Sequence, residues 1–359
     1  MAYKIIHLIS SLQRGGRERQ LANIVASTNQ QYTARIVFFN KLEQSYVDEY
    51  GLIPYTIHIQ SIGRLARLRE IHQVIRKEKP DVIHTWGNGE AVCGLLLKPF
   101  HQYKLINGSI RHGVRSRKLT HIFRTFILHL SHHIIANSQS GLKANNLRRG
   151  RILYNGVDSK FMKPLPDRSL KRMELCGVHE DMPVFISVAN LVPYKDYFTV
   201  LKALREIKEA GFSFFYLILG DGPMYSEIVR IIHAYGLGRW VRIVGNVEHV
   251  ADYLKISDVY IHSSKGEGCS NAILEAMACG LPVIASDTGG TSEIVTVDNG
   301  LLYDYKDSGQ LATHIKQLLN DKEKTRQMSE KSMQMVKSHF TVQAMMEQYY
   351  IILSDILRK

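Results

Sequence analysis

Residues 258–290 read DVYIHSSKGEGCSNAILEAMACGLPVIASDTGG, and the order of residue types in this stretch decides the fold. DVYIHSS is an apolar, β-branched and aromatic run, the composition of a buried strand. KGEGCSN is a glycine-bearing loop. AILEAMACG has helical spacing and closes on Gly280, where a helix end favours glycine. PVIAS is a second buried strand. Strand, loop, short helix and strand make a βαβ unit, whose two strands run parallel. Two carboxylates punctuate it. Glu267 stands among glycines at the carboxyl end of the first strand, where an acid has little packing role. Glu275 lies about one turn into the helix, where an exposed helix glutamate is the plainer alternative. A carboxylate accepts hydrogen bonds from paired hydroxyls. The amides of Gly268, Cys269, Ser270 and Asn271 lie at a helix N-terminus, which favours an anion. One loop therefore offers places for a sugar, a diphosphate and a ribose in sequence.

The same grammar extends outward in both directions. Apolar runs KIIHLIS, ARIVFF, YTIHI, DVIHTW, KLINGS, HHIIANS and RILYN alternate with helical stretches at 16–28, 63–78, 88–97, 117–131 and 139–147. The alternation restarts at VFISVAN and continues through FYLILG, VRIVG, VYIHSS, PVIAS and GLLYD. Such alternation means parallel sheets covered by helices on both faces. A chain of 359 residues exceeds one ordinary core. Residues 156–182 carry two prolines and no strand, and their first part reads as a linker. The expectation is an α/β chain of two doubly wound domains facing a cleft: residues 1–165 and residues 166–341, with about 342–359 returning to the first. In such sheets ligands bind beyond the carboxyl ends of the strands.

Composition narrows the function. No run of 18 apolar residues is present, and the start MAYKIIHLIS reads as a first strand rather than a signal peptide. The four cysteines are scattered without metal-ligand spacing, as expected for reduced thiols in a cytoplasm. Charge is divided unevenly. Residues 1–165 hold 25 Lys and Arg against 9 Asp and Glu, net +16; the remainder holds 21 against 24, net −3. A basic half points to an anionic membrane, a nucleic acid or a phosphorylated substrate. Nucleic acid ranks low, because no zinc pattern, recognition-helix motif or aromatic-rich basic strand accompanies the charge.

Three further stretches follow strands. Gly15 and Gly16 end a loop after the first strand and open a helix, an arrangement suited to a phosphate but lacking a dinucleotide or Walker pattern. SVANLVPYKDYF places Asn190 at a strand end and Lys195 at the opening of a helix, within reach of a diphosphate. ILGDGPMYSEI is a strand, a turn and a helix, with Asp221 expected as a helix cap.

Together these residues resemble the retaining glycosyltransferases of family 4, the group 1 glycosyl transferases with the GT-B fold, over essentially the whole chain. The E-x(7)-E pattern is matched by Glu267 and Glu275. Gly15-Gly16, IANSQS at 135–140, YNGVD at 154–158, Lys195 and GDGP at 220–223 support it in order and spacing. The resemblance implies that Glu267 holds donor-sugar hydroxyls and Glu275 the nucleotide ribose. It implies that Lys195, with amides of Gly16 and of 268–271, stabilises the departing diphosphate, and that backbone near Asn246 and Val247 meets the base. It further implies sugar transfer with retention, no metal cofactor, and a last helix that crosses back onto the first domain. Two positions depart from the pattern. Asn190 stands where an arginine commonly partners the lysine, leaving Arg14, Arg17 or Arg19 as substitutes. The family's active-site histidine is matched only approximately by His112, and Arg111 or Arg115 shares that neighbourhood.

For the acceptor, Leu119, Ile122, Phe123, Phe126, Ile127 and Leu130 fall at helical spacing, where core is the first expectation. Arg111, Arg115, Arg117, Lys118 and Arg124 flank them. A basic domain with an apolar element points to docking on an anionic membrane, on the inner face of the cell, and to a lipid-linked or glycan acceptor. The expected activity is transfer of a hexose or N-acetylhexosamine from a nucleoside-diphosphate sugar, UDP first, in glycan or glycolipid synthesis. The rival readings are a nucleotide-sugar epimerase of the same fold and a non-catalytic sugar-nucleotide-binding protein.

Overall fold

The computed structural model describes residues 2–13, 15–40, 46–111 and 119–358, with the backbone alone for 119–122. The chain forms two compact units, Met1–Gly156 with Val342–Lys359, and Val157–Thr341. Among the described residues each unit is built on one parallel sheet.

In the first unit the strands are β1 (Tyr3–Ile9), β2 (Tyr32–Phe38), β3 (Thr56–His58), β4 (Val82–Thr85), β5 (Lys104–Ile110), β6 (His133–Ala136) and β7 (Arg151–Ile152). They lie in the order β3-β2-β1-β4-β5-β6-β7. In the second unit β8 (Val184–Val188), β9 (Phe215–Leu219), β10 (Val241–Gly245), β11 (Val259–His262), β12 (Val283–Ser286) and β13 (Gly300–Tyr303) lie in the order β10-β9-β8-β11-β12-β13. Every apolar run singled out in the sequence is one of these strands. Their continuous burial follows from helices on both faces: β4, β9, β11 and β12 are buried along their whole length. Each order reverses once, between β1 and β4 and between β8 and β11. At such a reversal the connections leave for opposite faces and open a crevice beyond the strand ends.

The last helix, Val342–Leu357, belongs to the first unit. Met345, Met346, Tyr349, Ile352, Leu353 and Ile356 are buried in one core with Ile5, Ile9, Leu21 and Val25. Tyr349 places its hydroxyl 2.9 Å from Nδ1 of buried His84, and Tyr350 stacks on Tyr32. The unit boundary falls at Gly156 rather than at residue 165. Val157 bridges to Thr341, its amide donates to the Phe340 carbonyl at 2.8 Å, and buried Phe161 receives the Cys279 thiol on its carbonyl, so this stretch is tied into the second unit.

The apolar stripe expected as core is divided in the helix Leu119–Leu130. Ile127 and Leu128 are buried, Leu128 in a cluster with Ile110, Ile134 and Leu142. Phe123, Phe126 and Leu130 point the other way and are 56 %, 59 % and 49 % exposed. Periodicity found the helix, but its apolar residues are not all buried: Leu128, two positions from Phe126 and from Leu130, lies on the opposite face, and Ile127 stands between the two sets. No helix among the described residues is long and apolar enough to cross a membrane.

Candidate functional site: the β8/β11 crevice

Two loops meet beyond the carboxyl ends of β8 and β11, at the reversal of strand order in the second unit. The loop after β8 ends in a tight turn, Pro193–Lys195, and the following helix starts only at Tyr197. Lys195 therefore precedes the helix instead of opening it. The junction is Asp196, which adopts the left-handed conformation (φ 34°, ψ 54°) and is buried. Its Oδ2 accepts from Thr199 Oγ1 at 2.7 Å. That bond holds a backbone geometry which a non-glycine residue seldom adopts, and the turn it creates swings Lys195 over the strand ends. The glycines of GDGP brace the loop from below. A Cβ on Gly220 would sit 2.0 Å from the Ala189 carbonyl oxygen, so only glycine admits this approach.

Glu267 arrives from the loop after β11. Its carboxylate Oε1 pairs with Lys195 Nζ, and Oε2 lies 3.5 Å from Nε2 of His262. The two loops are also stitched through backbone, because the Lys265 amide donates to the Tyr194 carbonyl at 2.8 Å. From the other side the turn after β12 closes on Glu267. The Gly290 amide donates to the Glu267 carbonyl at 2.8 Å, and a Cβ on Gly289 (φ 61°) would lie 2.1 Å from that oxygen. Burial alone would push the Glu267 carboxyl up. The Lys195 ammonium, His262, and hydrogen bonds from Lys195 and Ser270 outweigh it and hold the group at about 2. Glu267 is thus a carboxylate at any physiological pH, an acceptor of hydrogen bonds and not a proton donor. Behind it His262 is 2 % exposed, and burial, reinforced by Lys195 and opposed by Glu267, lowers it to about 4, so the ring is neutral.

Glu275 lies in the helix Asn271–Ala278 and is buried at 4 % exposure, which excludes the exposed-helix alternative. Gly268, Cys269 and Ser270 are also buried at the start of this helix. Asn190 is exposed beyond β8, and Asn246 and Val247 follow β10. Asp221 does not cap a helix: its Oδ1 accepts from the next amide, Gly222, at 2.7 Å, and the helix begins at Tyr225. Among the described residues, no group of three His, Cys, Asp or Glu is arranged around a common point.

In the first unit, Gly15 is the N-cap of the helix Gly16–Ala26 beyond β1. The helix start is already covered by Glu18, whose Oε2 lies 2.4 Å from where a Gly15 Cβ would be. Arg17 bonds Glu18 and donates to the Trp86 carbonyl at 3.2 Å, joining the ends of β1 and β4. Arg111, past β5, stacks its guanidinium 4.6 Å from the centre of the Trp86 ring. His112, Arg115, Arg117 and Lys118 lie outside the described residues, as does Arg14. Sequence reading missed His262, which passes for a strand residue, and Gly289, which passes for an ordinary turn. The one available signal was the TGG that follows β12 within the quoted stretch.

Comparison with known proteins bears on the fold and the activity. Residues 176–335 match the family model described as glycosyl transferases group 1. An N-acetyl-alpha-D-glucosaminyl L-malate synthase of Bacillus anthracis is 26 % identical over 328 residues, 87 % of this chain and 84 % of that protein. A GDP-mannose-dependent monoacylated alpha-(1-6)-phosphatidylinositol monomannoside mannosyltransferase of Corynebacterium glutamicum is 31 % identical over 180 residues, 47 % of this chain and 46 % of that one. Among solved structures, HepE of Anabaena in complex with UDP superposes with a TM-score of 0.86 at 23 % identity, over 98 % of this chain and all of that one. A sucrose-phosphate synthase of Thermosynechococcus elongatus gives 0.83 at 22 % identity, covering 99 % of each chain. The chain is a glycosyltransferase built on the GT-B fold, and its residues 176–335 match the glycosyl transferases group 1 model.

Proposed function

We propose that this protein is a retaining family 4 enzyme that moves a hexose or N-acetylhexosamine from a UDP-sugar to a membrane-associated or lipid-linked acceptor. The observation that carries the donor half is the Lys195–Glu267 pair at the β8/β11 reversal. Glu267, ionised and partly exposed, accepts from the sugar hydroxyls. Lys195 leaves Glu267 for the diphosphate and stabilises it as the glycosidic bond breaks. Glu275 accepts from the ribose hydroxyls, backbone at Asn246 and Val247 meets the base, and amides of Gly268, Cys269, Ser270 and Asn271 face the phosphates. Asn190 borders the same site. With a fixed ammonium and amides in these places the reaction needs no metal. On the acceptor side, His112 orients the acceptor, and Arg111, Arg115, Arg117 and Lys118 supply positive charge.

UDP is the favoured nucleotide because HepE, the fold relative, was solved with UDP and with UDP-glucose. The names of two relatives support an acceptor in lipid or envelope glycans, a phosphatidylinositol monomannoside mannosyltransferase of Corynebacterium and a lipopolysaccharide core biosynthesis glycosyltransferase of Rhizobium meliloti, whereas the Bacillus anthracis relative is named for L-malate. The exposed Phe123, Phe126 and Leu130 in the basic half fit a peripheral membrane site. A melting-temperature panel of UDP, GDP and ADP with their glucose and N-acetylglucosamine conjugates tests the donor. At a hundredfold excess over Kd a bound ligand adds about 2.7 kcal/mol. For a domain of this size that is roughly 5–10 °C. Stabilisation by UDP and its sugars above the others supports the reading; preference for GDP, or no response, overturns its donor half.

A further inference from the structure

His262 is the last residue of β11, and its Nε2 is buried without a hydrogen-bond partner. That nitrogen lies 3.5 Å from Glu267 Oε2, while Lys195 pairs with the other oxygen, Oε1. A buried polar atom left unpaired is costly, and the acceptor standing beside it is Glu267 Oε2. We infer that His262 is a positioning residue for Glu267, its Nε2–H holding the carboxylate when Lys195 turns from Glu267 to the diphosphate of the donor. This rests on the nucleotide-sugar reading above.

An ammonium divided between Glu267 and a diphosphate holds the carboxylate less firmly than it does now. When it goes to the diphosphate, Glu267 loses its cation at the moment its orientation towards the sugar matters most. The ring stands behind it in a cavity lined by Ser187, Lys195, Tyr197, Tyr260 and Ser263. The groups facing His262 are few. Glu267 and Lys195 come from the two loops, Tyr260 from the same strand with ring centres 6.2 Å apart, and Tyr303 of β13 donates to the His262 carbonyl at 3.4 Å. Its register partner on β12 is Ala285, and β8 contributes uncharged Phe185, Ile186 and Ser187. Of these, Lys195 disfavours and Glu267 favours a proton on the ring. Departure of Lys195 therefore strengthens the His262–Glu267 bond in the same step that requires it.

Two measurements on the full chain test this. In the first, ring NMR follows His262 against pH in wild type and in Lys195→Ala. The proton midpoint is expected to rise by at least one pH unit in the variant; an unchanged midpoint overturns the coupling. In the second, UDP release from UDP-N-acetylglucosamine and UDP-glucose is measured for His262→Leu and His262→Gln, with UDP affinity alongside. His262→Leu should lower kcat tenfold or more at unchanged UDP affinity, and His262→Gln, which restores an N–H, should recover most of it. Wild-type kcat in His262→Leu, or equal losses in the two variants, overturns the role. If His262→Leu fails to fold, His262→Gln and the ring titration decide. If Glu267→Ala releases UDP as fast as wild type, the donor reading itself has failed, a result distinct from failure at His262 alone.

Discussion

Lys195→Ala removes the cation at the convergence of β8 and β11. The side chain is only 10 % exposed and contacts Glu267, so water screens it weakly. At an effective dielectric near 20, a unit charge about 4 Å away is worth on the order of 4 kcal/mol. That energy is not shared equally between binding and chemistry. To meet the donor, Lys195 gives up Glu267, so the gain in the bound ground state is offset by the ion pair it loses. As the glycosidic bond breaks, charge grows on the diphosphate and the offset no longer applies. Lys195→Ala should therefore lower kcat by up to about three orders of magnitude, and donor affinity by about tenfold or less. Burial, no longer opposed by the ammonium, would also let the Glu267 carboxyl rise from about 2. Lys195→Arg should rescue in part, because a planar fork fits a point-charge site poorly. The assay is steady-state UDP release from UDP-sugars, with UDP affinity measured separately. Near-normal turnover at saturating donor, or a loss of binding equal to the whole loss in kcat/KM, would refute the reasoning.

Three further outcomes follow from the same geometry. Activity should survive a chelator; loss in chelator restored by magnesium or manganese would show that a metal, not Lys195 and the amides, meets the diphosphate. The full chain should float with vesicles containing anionic lipid and detach as salt rises, since the Debye length falls from about 10 Å at 0.1 M to about 3 Å at 1 M; replacing Phe123 and Phe126 by serine should remove any salt-resistant remainder, and equal flotation with neutral vesicles would contradict a basic dock. Stability should fall between pH 7 and pH 5. His7, lowered by burial to about 3, and His262, at about 4, are neutral when folded, and His84 is lowered by burial, His7 and Arg111. The unfolded chain then takes up protons first, near 6.5, and each histidine costs at most about 1.4 kcal/mol per pH unit below that value. Glu267 adds almost nothing in this window, because its carboxyl is lowered from 4.5 to about 2 and its contribution is lost only between those values; equal denaturant midpoints at the two pH values would contradict burial of neutral rings.

The fold was legible because both units repeat one local pattern. Most strands are apolar runs, and β4, β9, β11 and β12, buried on both faces, leave no alternation to misread. The site was legible in its parts and not in its assembly. Glu267 announced itself as an acid among glycines, and Lys195 as a cation after a strand. Their contact spans 72 positions and depends on β8 lying beside β11, which strand order decides and local sequence does not. His262 carries no local signal because a histidine ending a buried strand is ordinary until its neighbour across the loop is known. Gly289 likewise becomes necessary only where the turn after β12 touches the Glu267 backbone. Phe123, Phe126 and Leu130 show the converse limit. Helical spacing identifies an apolar face, but only the position of β5 and β6 beneath Leu128 decides which residues that face buries.

The central claim is that one loop and helix divide a nucleotide sugar between two carboxylates, and calorimetry of UDP against wild type, Glu267→Ala and Glu275→Ala tests it most directly. Glu275→Ala should bind UDP roughly 10- to 150-fold more weakly, the loss of one hydrogen bond to a charged acceptor worth about 1.5–3 kcal/mol. Glu267→Ala should bind UDP as wild type does or more tightly, since Lys195 is released to the diphosphate, while transferring no sugar. Equal loss of UDP affinity in both variants, or none in Glu275→Ala, would contradict the division.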